Sequence, residues 1–334
     1  MSMKKVALVG YGYWGKNHLR TLKEIDSCKV SYVCDPALEN DEDRSGLAFT
    51  RDYNRVLNDN SLDGVIIVTP TKTHYSLAKE FLRSGKHVFV EKPLTTRSFE
   101  SKELCTLADK EGKCLMVGEI FRFNPAVIFM KSFINAGELG DLRYIESRRV
   151  GLGPVRNDVS VLWDLATHDV YISNLLVGAS PDFISCMSIS HNGRLDDIVC
   201  MNMNYPSLNM LSTVYANWEH PIKERLMIIG GTKKAIRFDD VQPSEKIAIY
   251  ERGVDYQPAT GDFGEFQAAI RGGGITLPNL KLKQPLEEEL KHFLECFDDP
   301  SRCRSSGWVG FETVKVLEAA EKSILMGGIR VKNL

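Results

Sequence analysis

The stretch Gly10-Tyr11-Gly12-Tyr13-Trp14-Gly15 constrains this chain more than any other. It follows an apolar run, Val6–Val9, and opens a helical pattern over Trp14–Ile25. A strand that turns into a helix through three glycines puts bare backbone at a helix N-terminus, where unbonded N–H groups and the helix dipole favour an anion. Gly10 permits the tight turn, Gly12 lets the backbone approach a pyrophosphate, and Gly15 lets the helix lie close to the sheet. A second apolar run, Val30–Cys34, ends at Asp35. That is about 20 residues past the last glycine, where a carboxylate hydrogen-bonds a ribose 2′-hydroxyl and repels a 2′-phosphate. These features predict a site for NAD rather than NADP at Gly10, Gly12, Tyr13, Trp14, Gly15 and Asp35. The bland alternative is a glycine turn with an incidental loop aspartate.

The first third of the chain continues as short apolar runs separated by helical stretches. Gly64–Val68 ends at Thr69-Pro70, His87–Val90 leads into Glu91-Lys92-Pro93, and Cys114–Gly118 follows a helix over Ser98–Lys110. Apolar strands without alternation, joined by helices, read as a parallel sheet covered on both faces. The fold class is therefore α/β, a doubly wound Rossmann sheet over residues 1–122. From residue 123 to 334 the texture changes. Segments such as Phe183–Ser190, Ile198–Tyr205 and Leu211–Asn217 alternate apolar and polar residues. They predict an α+β domain with a large, mostly antiparallel open sheet, a helix at Leu162–Leu176, and terminal helices at Leu286–Phe297 and Val309–Met326. Gly261–Leu280 is glycine-rich and aperiodic and reads as a loop.

Composition narrows the function classes. With 334 residues, 43% hydrophobic and 26% charged, the chain has the make-up of an ordinary globular protein of two domains. A net charge of -2 and scattered basic residues give no footprint for nucleic acid. No apolar stretch reaches membrane-spanning length. The eight cysteines are widely spaced with no Cys-x-x-Cys, so buried free thiols in a reducing cytoplasm are expected rather than disulfides or zinc ligands. No metal site is expected.

Ligands in doubly wound sheets bind at the carboxyl ends of the strands. Lys92 stands there, one residue beyond an apolar strand and next to a proline that stiffens its backbone. Its ammonium can bond a substrate hydroxyl and stabilise a developing alkoxide; the alternative is a solvated loop lysine paired with Glu91. Thr69, Pro70 and His74 follow another strand end, and His74 either contacts the nicotinamide or caps the next helix. Asp164 and His168, four apart, share a helix face, so the carboxylate can orient an imidazole that accepts a hydroxyl proton. From that spacing alone, a plain surface ion pair is the favoured reading. Arg122 and Asn124 sit where the chain leaves the first domain, and Arg148, Arg149 and Arg156 are candidates for an anionic substrate group. For these arginines a surface role is the alternative.

Together these residues resemble the glucose-fructose oxidoreductase / inositol dehydrogenase / rhizopine-catabolism family of NAD(P)-dependent oxidoreductases, nearly end to end. The likeness rests on Gly10–Gly15, Thr69-Pro70 with His74, Gly85-Lys86-His87-Val88 leading into Glu91-Lys92-Pro93, and Asp164 with His168. It implies that Lys92, Asp164 and His168 form the catalytic group. It also implies that Glu91, Lys92, Thr69, Pro70 and His74 line the cofactor, and that the second sheet forms dimers or tetramers. Shorter matches, Gly12–Asn17, Arg122–Pro125, Gly153–Arg156 and Val161–Leu165, resemble the nucleotide-sugar branch. That branch implies oxidation of the 3-hydroxyl of a UDP-N-acetylhexosamine or its uronic acid, with Lys92, Arg122, Asn124, Arg156 and His168 at the substrate. Tyr171 stands where many relatives carry an aspartate. An inositol or free-sugar dehydrogenase is the alternative within the family, and a non-catalytic NAD-binding sensor the alternative outside it.

Overall fold

A computed structural model describes residues 3–44, 46–153, 156–191, 193–257, 267–281 and 283–333. The chain divides into two compact units, Met1–Asn124 with Lys283–Glu318, and Pro125–Leu282 with Ala319–Leu334. The sequence division after residue 122 differs from this one, because the segment 283–318 packs with the first unit.

The first unit is built on strands β1 (Lys4–Val9), β2 (Cys28–Cys34), β3 (Glu42–Arg44), β4 (Leu47–Thr50), β5 (Gly64–Ile67), β6 (His87–Glu91) and β7 (Leu115–Gly118). They lie in the order β3-β4-β2-β1-β5-β6-β7. Every pairing is parallel except β3 with β4. The side chains of β5 are buried throughout, which is why their sequence shows no alternation. Strand order reverses at β1, so the crevice at its carboxyl end is where a doubly wound sheet takes its ligand. The core around β1 and β6 joins Val6, Leu8, Ile66 and Phe89 to Leu290, Phe293 and Cys296 of the returning segment. The Phe89 and Phe293 rings meet edge to face at 5.7 Å. This long-range packing draws 283–318 into the first unit.

The second unit holds β8 (Leu142–Val150), β9 (Phe183–Ile189), β10 (Ile198–Tyr205), β11 (Met210–Asn217), β12 (Glu224–Gly231), β13 (Ala235–Asp239), β14 (Ile247–Tyr250), β15 (Gly253–Gln257), β16 (Gln267–Arg271), β17 (Ile275–Thr276) and β18 (Val331–Lys332). Nine of them form a mixed sheet, β17-β14-β13-β12-β8-β11-β10-β9-β18, and β15 pairs with β16. Within the large sheet only β8 with β11 is parallel among the described pairings. One face is buried through Ile184, Cys186, Val199, Met201 and Met203. The opposite face leaves Met187, Ile189, Tyr144 and Leu211 exposed, as the two-residue alternation dictates.

Two expectations need correction. The glycine-rich stretch read as a loop contains β16 and β17, whose shortness hides them from a periodicity argument; residues 261–266 lie outside the described residues. The single helix expected at 162–176 is a π-helical turn at Leu162–Ala166 followed by an α-helix at Thr167–Val177. Side-chain spacing barely distinguishes the two.

Candidate active site

In the first unit the glycine loop has the required shape. Gly10 takes a φ of +101°, and a Cβ on it would lie 2.4 Å from the Val68 carbonyl oxygen. A Cβ on Gly15 would lie 2.2 Å from the carbonyl oxygen of Gly10, so helix and loop touch backbone to backbone. Gly12 begins the helix Tyr13–Lys23 without a side-chain cap, and a Cβ there would meet open space. Bare N–H groups beside open space fit a pyrophosphate. Asp35 closes the loop: one carboxylate oxygen accepts the Tyr11 N–H at 2.6 Å and the other the Ala37 N–H at 2.8 Å. Tyr13 is exposed. Trp14, expected beside a cofactor, donates its indole N–H to Glu91 at 2.6 Å.

Lys92 follows β6, and Lys92-Pro93 is a cis peptide. His74 is buried beneath this turn. Its Nδ1 lies 2.8 Å from the Pro93 carbonyl oxygen and its Nε2 2.9 Å from that of Thr69. His74 thus ties two strand ends together, a bracing role that neither reading of its sequence position contained. Thr69 and Thr73 bond through their hydroxyls at 2.7 Å, which fixes the Thr69-Pro70 turn.

Behind Lys92 lies a group of carboxyls that sequence reasoning missed. Burial pushes the Glu91 carboxyl up, but His18 at 2.7 Å, by hydrogen bond and charge, and then Trp14 bring it below the ordinary carboxylate range. Glu119 follows β7 and is 1% exposed. Burial raises it to about 8, with Glu91 adding to the rise and Lys92 opposing it. Glu289, on the helix Pro285–Glu295, is raised well above its usual value by burial and by the charges of Glu91 and Glu119. Neither Glu289 oxygen has a hydrogen-bond partner. Glu119 is thus held protonated near neutral pH, and Glu289 is pushed in the same direction. Glu119 was open to discovery from sequence, because it stands at a strand carboxyl end as Lys92 does. Glu289 carried no such signal.

Of the remaining first-unit candidates, Asn124 is buried and Arg122 donates weakly through Nε to the Arg304 carbonyl at 3.4 Å.

In the second unit, Asp164 lies on the π-helical turn and His168 on the α-helix after it, both partly buried. π-helical turns recur at functional sites. The Asp164 carboxylate accepts the Trp218 indole N–H at 3.2 Å and faces Arg156 at 3.5 Å. Arg156 is also held by a two-pronged pair with Asp158, at 2.8 and 2.6 Å. Its guanidinium therefore comes to any substrate already paired; Pro154 and Val155 beside it lie outside the described residues. Arg149, considered for an anionic ligand, is instead buried in a two-pronged pair with Asp169 at 2.7 and 3.1 Å. Arg148 pairs with Glu224 at 2.8 Å.

Comparisons with known proteins agree with this division. The model of an oxidoreductase family with an NAD-binding Rossmann fold matches residues 4–119, and that of the GFO/IDH/MocA C-terminal domain matches residues 127–237. The chain is 33% identical over 201 residues to scyllo-inositol 2-dehydrogenase (NAD(+)) of Bacillus subtilis, covering 57% of each protein. It is 34% identical over 130 residues to UDP-N-acetylglucosamine 3-dehydrogenase of Acidithiobacillus ferrooxidans, covering 39% of this chain and 40% of that one. These matches thus span little more than half of the first relative and less than half of the second. Among solved structures, an oxidoreductase from Magnetospirillum magnetotacticum aligns with a TM-score of 0.79 at 25% identity, over 95% of this chain and 99% of that one. The Acidithiobacillus enzyme aligns with a TM-score of 0.79 at 22% identity, over 97% and 98%, and shares the fold.

Proposed function

The chain belongs to the glucose-fructose oxidoreductase / inositol dehydrogenase / rhizopine-catabolism family of oxidoreductases, its first unit an NAD-binding Rossmann domain, and from that membership we propose that it oxidises a secondary hydroxyl of a sugar. The observation that carries the proposal is the first unit's strand-end arrangement: an uncapped glycine loop, Asp35 at the end of β2, and Lys92 on a turn braced by His74. NAD supplies the hydride acceptor. Lys92 donates to the substrate hydroxyl and stabilises charge as it develops on that oxygen. His168 takes the hydroxyl proton, and Asp164 fixes the local geometry of the π-helical turn from which His168 follows. Glu119, held protonated by burial, adds no further anion beside the Lys92 ammonium.

For the substrate, the 3-hydroxyl of a UDP-N-acetylhexosamine or its uronic acid is supported by likeness to the Acidithiobacillus enzyme. An inositol or free sugar is the second reading, supported by the longer match to the inositol dehydrogenase and by an Arg156 already engaged with Asp158. The exposed apolar positions Met187, Ile189, Tyr144 and Leu211 on the open sheet support self-association through that face.

A turnover assay with NAD and NADP against UDP-N-acetylglucosamine, its uronic acid, inositols and free hexoses separates the readings. Lys92→Ala should lose nearly all turnover while still binding NADH. Full turnover in that variant removes Lys92 from the chemistry.

A further inference from the structure

We propose that Cys114, Cys296 and Cys303, with His292, form a tetrahedral zinc site in the first unit. The three sulfurs all lie within 4.8 Å of one another. Zn–S bonds of about 2.3 Å place tetrahedral sulfurs about 3.8 Å apart, so a small contraction closes three thiolates on one ion. His292 stands beside the three sulfurs, in contact with Cys296, and a turn of its ring toward the other two brings it to the fourth position. Its Nε2 lies 3.5 Å from Cys296 Sγ, the separation of about 3.5 Å that tetrahedral Zn–N and Zn–S bonds produce. The same nitrogen accepts the Arg304 N–H at 3.1 Å, so it carries the lone pair a metal needs, and coordination exchanges that bond for the ion. On the other side of the ring, Nδ1 faces the Glu295 carboxylate at 3.7 Å. A carboxylate behind a ligating imidazole is the recurrent outer partner of zinc-bound histidine.

Local structure brings the four together. His292 and Cys296 are four apart at the end of the helix Pro285–Glu295, hence on one face. Cys303 closes the short turn Pro300–Arg302, and Cys114 immediately precedes β7. Cys114 and Cys296 are buried while Cys303 is partly exposed, which leaves the ion a way in. Three thiolates, a neutral imidazole and Zn²⁺ sum to one negative charge, and three thiol protons leave on binding. The guanidinium of Arg304, stacked 4.6 Å from the Phe123 ring centroid on the residue after Cys303, is the nearby positive charge. A site of this closed kind is structural. It clips the returning segment to β7. The sequence hid it because Cys114 is far from the other three in the chain and no pair has zinc-finger spacing.

The test uses the full chain, expressed with added zinc and purified under reduction without chelator. Elemental analysis should find one zinc per chain. Metal-stripped protein titrated with Co²⁺ should develop thiolate-to-cobalt charge-transfer bands and the strong visible bands of a tetrahedral ion. Cys303→Ser and His292→Ala should each weaken zinc at least about tenfold in competition with a chromogenic chelator, while Cys200→Ala, at an exposed thiol of the other unit, should not. The cobalt spectrum needs no variant and decides the matter if a substitution fails to fold. Zinc-free protein from zinc-fed cells, absence of the cobalt bands, unchanged affinity in either ligand variant, or a disulfide among the three cysteines in rapidly quenched protein would each overturn the proposal.

Discussion

Glu119 makes stability depend on pH in an unusual direction. Its carboxyl is 1% exposed, one oxygen lacks a hydrogen-bond partner, and it is raised from 4.5 to about 8, chiefly by burial. In the unfolded chain the same group ionises at its ordinary value. Between these two values the native state holds a proton that the unfolded state has released, so stability is present at low pH and drains away as pH rises through 8. From pH 6 to pH 9 the loss amounts to about 2.7 kcal/mol for a shift of this size. Glu119→Gln keeps the shape and removes the titration. Urea unfolding at the two pH values should therefore show the parent protein losing about 2.7 kcal/mol more than the variant. Both proteins carry Glu289→Gln, because the charge of Glu119 raises Glu289 and its titration would otherwise differ between them. Equal losses in the two proteins, or a parent that gains stability with pH relative to the variant, would refute the assignment of a protonated Glu119.

Three other outcomes follow from particular contacts. Asp35→Ala should raise the dissociation constant for NAD by about 10- to 100-fold, the worth of one charge-assisted hydrogen bond, and narrow the preference over NADP; isothermal titration with both nucleotides measures it. His74→Ala frees the Thr69 and Pro93 turns, so kcat should fall by about 100-fold with little change in NADH affinity, as expected when a reacting group is misplaced rather than removed. Asp169→Asn leaves Arg149 buried without its anion and should cost about 3–5 kcal/mol in urea unfolding, whereas replacing both partners by apolar residues should recover most of that loss.

What the sequence disclosed and what it concealed divide by range. Gly10, Gly12, Gly15 and Asp35 work through backbone shape and strand-end position, which local pattern carries, and the structure has them in the expected loop. Lys92 was placed by the same strand-end rule. His18, Glu289 and Cys296 reach their partners through contacts between distant segments, and no periodicity encodes a contact of that kind. Arg149 shows the complementary limit. Its residue type suits the ligand role considered for it, but the buried carboxylate of Asp169 claims its polar atoms first. The π-helical turn under Asp164 was likewise invisible, because an added residue in one turn alters hydrogen bonding more than composition.

The composition of the core around β1 and β6 has a consequence for biosynthesis. Leu290, Phe293 and Cys296 belong to it, although they are made long after the strands they cover. A ribosome that has released only the first 124 residues presents a nascent sheet with one wall missing, and that half cannot complete itself until the segment ending at Glu318 has emerged. Anyone wishing to isolate the nucleotide-binding half must therefore splice residues 283–318 back onto it, for instance by circular permutation, rather than truncate the gene at the apparent boundary.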